Sequence, residues 1–135
     1  MHTATLELLK RYYTAFNSGD LDSFLDLLAD DVIHDINQGE AETGRAAFHR
    51  FMRRMNTCYH EQIENVQIFA AADGLRAAAE YIVIGRYVQT DEGFPEATGQ
   101  QYRLAGGTFF SIHKGKITRV SNYYNLRDWV RQIAG

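Results

Sequence analysis

What the sequence lacks sets the first limits on what it can be. It has one cysteine, Cys58, so it forms no internal disulfide and has no thiolate cluster for zinc. We expect Cys58 to be a core or subunit-contact residue. It has one proline, Pro95, and no Gly/Ser/Pro-rich run, so nothing reads as a linker and residues 1–135 are expected to form one domain. Long hydrophobic runs are missing as well. The most apolar stretch, Ala77 to Gly85, is broken by Glu80 and is far too short to cross a bilayer. Met1-His2-Thr3 leads straight into a charged amphipathic segment, without the apolar stretch of a signal peptide, so a cytoplasmic setting is expected. The net charge of −3 offers no basic surface for nucleic acid or for an anionic membrane, and neither is expected as a partner. His34, His49, His60 and His113 have neither zinc-helix nor facial-triad spacing, so no metal site is expected. Phosphate-binding glycine loops and serine-hydrolase elbows are absent. Gly106-Gly107 falls inside a strand pattern, where glycine marks a bend or room for a ligand.

What is present begins with helices. Leu6, Leu9, Tyr13 and Phe16 recur at helical spacing, with Leu8, Tyr12 and Phe16 beside them, so Thr5–Asn17 is expected to be a helix. Thr3 is placed to cap it, and Gly19 to end it in a left-handed turn. Asp20 then caps a second helix with Leu21, Phe24, Leu25 and Leu28 on its buried face, closed by Asp30-Asp31. Val32–Asn37 reads as a short strand and Gln38–Thr43 as a polar turn. Gly44 opens a third helix to about Tyr59, with Phe48, Phe51, Met52 and Met55 inside and Arg50, Arg53 and Arg54 outside.

Strands dominate the second half. Gln62–Phe69 and Leu75–Gln89 form a hairpin about Asp73-Gly74, and Gln101–Ser111 and Lys116–Tyr124 form another about His113-Lys114-Gly115. Side chains two apart share a sheet face. Tyr102, Leu104, Gly106, Thr108 and Phe110 therefore line one surface with Val120, Asn122 and Tyr124. That surface is apolar with a few isolated polar atoms, which suits a small-molecule site. It equally suits simple packing of a helix. The strand Leu75–Val88 is apolar on both faces: Ala77, Ala79, Tyr81 and Val83 on one, Ala78, Ile82 and Ile84 with Glu80 on the other. Helices cover one face, and a second subunit is the simplest cover for the other, so a homodimer is expected. Asp91–Gly99 is a loop long enough to be a rim, a lid or a partner contact. Asn125 caps a closing helix that carries Leu126, Trp129, Val130 and Ile133.

Helices early and strands late imply an α+β fold. The order, with Asn17-Ser18-Gly19-Asp20, Leu28-Ala29-Asp30-Asp31-Val32, Thr43-Gly44-Arg45 and Gly115-Lys116-Ile117, resembles the nuclear transport factor 2-like superfamily over essentially the whole chain. Within it the chain is similar to the SnoaL-like and ketosteroid-isomerase-related branch. His34-Asp35-Ile36-Asn37-Gln38-Gly39, Glu92-Gly93-Phe94-Pro95, Gly106-Gly107-Thr108-Phe109-Phe110 and Tyr123-Tyr124-Asn125-Leu126 resemble a steroid-isomerase-related subgroup of unassigned reaction. The resemblance implies a strongly curved, mostly antiparallel sheet, wrapped into a cone by three N-terminal helices and a short C-terminal one. A pocket lies inside, and the assembly is usually dimeric.

The resemblance also implies roles. Tyr12 matches a first-helix tyrosine that donates to a developing enolate; its other reading is an amphipathic core residue. Thr108 matches the strand position of a protonated aspartate, for which a hydroxyl is a weaker donor. The general base ends the first strand. A gap-free match puts Ile36 at that position and turns His34 inward, whereas a slip of one residue puts Asp35 and Asn37 inside instead. Either ionisable group is chemically suitable. A carboxylate in an apolar cone has its pKa raised toward neutrality, and histidine is already there. Asp35 is favoured as base, with His34 the alternative; an Asp35 bonded to local backbone is the non-catalytic reading. The arginine and first aspartate of an epoxide-hydrolase Asp–Arg–Asp set would fall on Tyr81 and Val83 and its second aspartate on Asn122, which lack those charges.

Two functions remain. One is a cofactor-free acid/base enzyme of isomerase, cyclase or dehydratase type on a small apolar carbonyl compound. Asp35, His34 and Tyr12 would be catalytic, and Asn37, Met52, Met55, Tyr102, Thr108, Phe110, Asn122 and Tyr124 would bind substrate. The other is a non-catalytic dimeric module for a lipophilic ligand or a protein partner.

Overall fold

A computed structural model describes residues 1–134. The elements are α1 (His2–Ser18), α2 (Leu21–Asp26), β1 (Leu28–Asp35), β2 (Glu42–Thr43), α3 (Arg45–Cys58), β3 (Tyr59–Ala70), β4 (Arg76–Tyr87), β5 (Gln100–His113), β6 (Lys116–Tyr124) and α4 (Leu126–Ile133). The strands form one sheet in the order β2-β1-β6-β5-β4-β3. Only β1 and β6 run parallel; every other pair is antiparallel. This α+β arrangement, a curved and unclosed sheet under four helices, is the expected cone.

Local chemistry fixes the helical hairpin. Gly19 takes φ 72° and ends α1. The Asp20 carboxylate accepts from the Ser23 backbone N–H at 3.1 Å and starts α2. Asn17 does more than join them. Its amide donates to the Ile63 carbonyl at 2.9 Å and accepts from the Ile63 N–H at 2.8 Å, which ties the end of α1 to the edge strand β3. Two expectations need correction. Thr3 does not cap α1, whose N-cap is Met1, without a side-chain hydrogen bond. Leu28 belongs to β1 rather than α2: it pairs with Ile117, and the ladder to β6 outweighs its helical spacing from Leu21 and Leu25.

Register shifts at Leu28/Ile33, Glu64/Gln67 and Ser111/Ile112 bend the sheet. The β5–β6 turn has positive φ at Lys114 (51°) and Gly115 (76°), the paired conformation that matches strand twist. Burial divides into two clusters. Leu9, Phe24, Phe48, Val32, Phe110 and Ile117 pack under α1–α3. Tyr59, Tyr87, Tyr102, Trp129 and Ile133 pack at the other end, where α4 crosses β5. Among the described residues, no helix is long and apolar enough to cross a membrane.

Candidate active site

Between the two clusters lies a cavity of about 440 Å³. Its walls come from α1, α2, α3, β1 and the residues just after it, the inner face of β3–β6, the loop 88–99 and α4. That volume suits a small ligand.

Three strands build its floor by one rule. Glu61 on β3 pairs with Gly85 on β4, and Gly85 pairs with Tyr102 on β5. Because Gly85 has no Cβ, the Tyr102 ring lies over it, and its hydroxyl reaches across to donate to the Glu61 carboxylate. Past the pair Val83 and Leu104, the next row on the same face is Tyr81, Gly106 and Tyr124 on β4, β5 and β6. A Cβ at Gly106 would stand 2.6 Å from Tyr81 Cε1, so here too the phenol lies over the glycine.

Glu61 is a half-buried carboxylate of the cavity lining, set in a mainly apolar wall. Burial pushes its carboxyl group above the ordinary glutamate value, and the Tyr102 hydrogen bond opposes that shift only in part. The carboxylate of Asp91, buried in the loop wall, is already engaged. It accepts from the Tyr59 hydroxyl at 2.8 Å and pairs with Arg54 Nε at 3.4 Å. The Asp91 N–H donates to the Tyr87 hydroxyl, which donates to the Pro95 carbonyl, and Phe94 packs on Trp129. The loop 88–99 is therefore a fixed wall of the cavity.

On the opposite side a hydrogen-bond chain crosses β4, β5, β6 and β1. Tyr81 Oη and Thr108 Oγ1 are 2.7 Å apart, Thr108 Oγ1 donates to Asn122 Oδ1 at 2.7 Å, and Asn122 Nδ2 lies 3.2 Å from His34 Nε2. The Thr108 hydroxyl has one proton, which goes to Asn122, so Tyr81 donates to Thr108. The amide in turn donates to His34 Nε2, which makes the imidazole neutral with its proton on Nδ1. The ring stacks on Phe48 at 4.0 Å. Burial lowers its pKa to about 4, against a smaller opposing effect of Asp35.

Tyr12, His34, Met52, Met55, Thr108, Asn122 and Tyr124 all line the cavity. Asp35, Asn37, Tyr102 and Phe110 do not. Asp35 alternates with His34 on β1 and so faces away; its carboxylate accepts from the Asn37 N–H at 2.8 Å, the local backbone bond of the non-catalytic reading. Asn37 donates to Ser121 Oγ and to the Asn122 carbonyl, which fastens the end of β1 to β6. Phe110 lies beneath Tyr12 in the core, and Tyr102 acts through Glu61. Tyr12 is packed against Phe24 at 4.6 Å, and burial pushes its phenol further from ionisation. Its neighbour Tyr13 also lines the cavity, and its hydroxyl is buried without a partner.

Sequence reasoning missed Glu61, Tyr13 and the Tyr81 hydroxyl. Alternation of Tyr59, Glu61 and Ile63 carried a signal for the first, and the glycines at 85 and 106 marked where rings approach the sheet closely.

The SnoaL-like domain family matches residues 9–120. A solved protein from Pseudomonas putida KT2440, described as a candidate polyketide cyclase, is 57% identical over 97% of this chain and 98% of its own, with a TM-score of 0.94. One from Xanthomonas campestris pv. campestris with the same description is 51% identical over 98% of each chain, with a TM-score of 0.95. A third, from Silicibacter sp. TM1040, is 44% identical over 100% of this chain and 99% of its own, with a TM-score of 0.95. Comparison with curated proteins gives no match. The chain belongs to the SnoaL-like domain family of the nuclear transport factor 2-like superfamily.

Proposed function

We propose that this protein is a cofactor-free acid/base enzyme of the isomerase or cyclase type, acting on a small apolar carbonyl compound with Glu61 as the proton-transfer group. The observation that carries this reading is the Glu61 carboxylate, set in an apolar cavity under a single hydrogen bond from Tyr102. A carboxylate desolvated in this way is a stronger base than one in water, and its raised pKa brings it nearer to operating pH. It takes a proton from the carbon beside the carbonyl. Negative charge then grows on the carbonyl oxygen, and the unpartnered Tyr13 hydroxyl is a donor free to meet it. Return of the proton to another carbon completes an isomerisation; attack of the carbanion on a second carbonyl, whose oxygen takes the proton back from Glu61, completes a cyclisation. His34, neutral and stacked on Phe48, positions the Asn122–Thr108–Tyr81 chain rather than acting as base. The relatives described as candidate polyketide cyclases support the reaction class.

The exposed apolar side chains Ile33, Phe109 and Tyr123 support a homodimer through the outer face of the sheet.

The test is hydrogen–deuterium exchange at the α-carbon of a panel of enolisable aryl ketones. Glu61→Gln is expected to lose about 10²–10⁴ of the catalysed rate, and Tyr13→Phe to lose a smaller factor. Exchange by Glu61→Gln at the parent rate overturns the assignment.

A further inference from the structure

A second recess adjoins the mouth of the cavity. Arg50, Arg53, Arg54, Thr57, Cys58 and Gln89 line it, between the C-terminal half of α3 and the segment after β4. Arg54 lines the cavity too, so its side chain is the wall the two spaces share. Its Nε is turned to Asp91, while the side chain as a whole remains 58% exposed.

The charges here run against those of the chain as a whole. The protein carries a net charge of −3, yet three guanidinium groups meet in this recess and no carboxylate lines it. Among the described residues, Arg50 and Arg53 make no ion pair. Thr57 gives its hydroxyl to the Arg53 carbonyl at 2.8 Å, and Cys58 is buried. The charge of the recess is therefore that of its arginines, with the Gln89 amide beside them. Guanidinium groups hold carboxylate and phosphate oxygens with paired, charge-assisted hydrogen bonds. The cavity next door is mainly apolar and already holds the Glu61 carboxylate, so a second, permanent negative charge on the substrate is disfavoured there.

On the acid/base reading above, we propose that this recess is an anion subsite for the same substrate, an apolar carbonyl compound with a carboxylate or phosphate at its remote end. The apolar body enters the cavity, and the charged end stays at Arg50 and Arg53. Arg54 stands at the junction, held by Asp91. The subsite selects amphiphilic anions over neutral compounds of the same length and fixes which end of the chain goes in first.

Trp129 is the single tryptophan and lines the cavity, so its fluorescence reports occupancy. Decanoate, decyl phosphate and decanol are titrated into the full chain. At low salt at least one anion is expected to bind about ten-fold tighter than decanol. Which anion gains identifies carboxylate or phosphate as the natural headgroup. That advantage shrinks as salt rises and disappears in the Arg50→Gln/Arg53→Gln variant, whose affinity for decanol is unchanged. Equal affinity for all three probes overturns the subsite and leaves the acid/base reading standing. An anion advantage that survives in the double variant overturns it as well. No response to any probe overturns ligand entry itself, and both readings fall with it.

Discussion

The Tyr102 phenol lies over Gly85 and donates its hydroxyl to Glu61, so the carboxylate on β3 is held by a tyrosine two strands away. The reach depends on the missing Cβ. An alanine methyl at position 85 would overlap the Tyr102 ring. Gly85→Ala therefore lifts the phenol off the sheet, at about 1–3 kcal/mol for a forced overpacking. It also removes the hydrogen bond that restrains the Glu61 carboxyl pKa, which then rises further. Exchange depends on the deprotonated base, so its pH profile moves to higher pH. Tyr102→Phe is expected to give the same displacement, without an added methyl. Urea denaturation and pH–rate profiles of the two variants check both halves.

The outer face of the sheet supplies a second expectation. Phe109 and Tyr123 stand edge to face at 5.6 Å, with 48% and 49% of their surface exposed. Ala78 on β4 pairs with Phe109, and Ile82 and Ile84 lie half-buried further along the same face of that strand. An apolar sheet face of this kind is stabilised by burial against another surface. The parent is expected to sediment as a dimer, and Phe109→Lys/Tyr123→Lys as a folded monomer. A monomeric parent refutes the dimer.

Much of the fold was legible because strand period and turn chemistry agree. The pairs Gly106 with Tyr124, Thr108 with Asn122 and Phe110 with Val120 follow from alternation on two strands closed by Lys114-Gly115. The site was less legible. His34 and Asp35 differ by a single step of register, and only pairing with β6 decides between them: His34 sits beside Val120 and Asp35 beside Ser121. Glu61 was hidden for another reason. It is a lone carboxylate between Tyr59 and Ile63 on the inward face, and with His60, Gln62 and Glu64 as its neighbours in sequence the segment reads as polar and solvated. Its partner lies 41 positions along the chain, on a strand it does not pair with. Such contacts arise from three-strand geometry and leave no local pattern.

His34, which is buried, and Glu61, which is half-buried, give stability opposite dependences on pH. His34 has its pKa lowered from 6.5 to about 4, because burial disfavours the imidazolium. The unfolded chain therefore binds this proton more readily than the folded one. The contribution of neutral His34 is complete above pH 6.5 and is lost as pH falls toward 4. The shift corresponds to a loss on the order of 3 kcal/mol. Glu61 behaves in the reverse sense. Its raised pKa means that the folded protein holds the proton more tightly, so its contribution is complete below the ordinary glutamate value of 4.5 and is lost as pH rises through the folded value. Urea midpoints measured across pH separate the two. His34→Gln flattens the acid side of the curve and leaves the alkaline side in place, and Glu61→Gln does the opposite. If neither variant changes the shape of the curve, the two groups are not desolvated as the cavity geometry requires, and the case for Glu61 as a strengthened base fails with them.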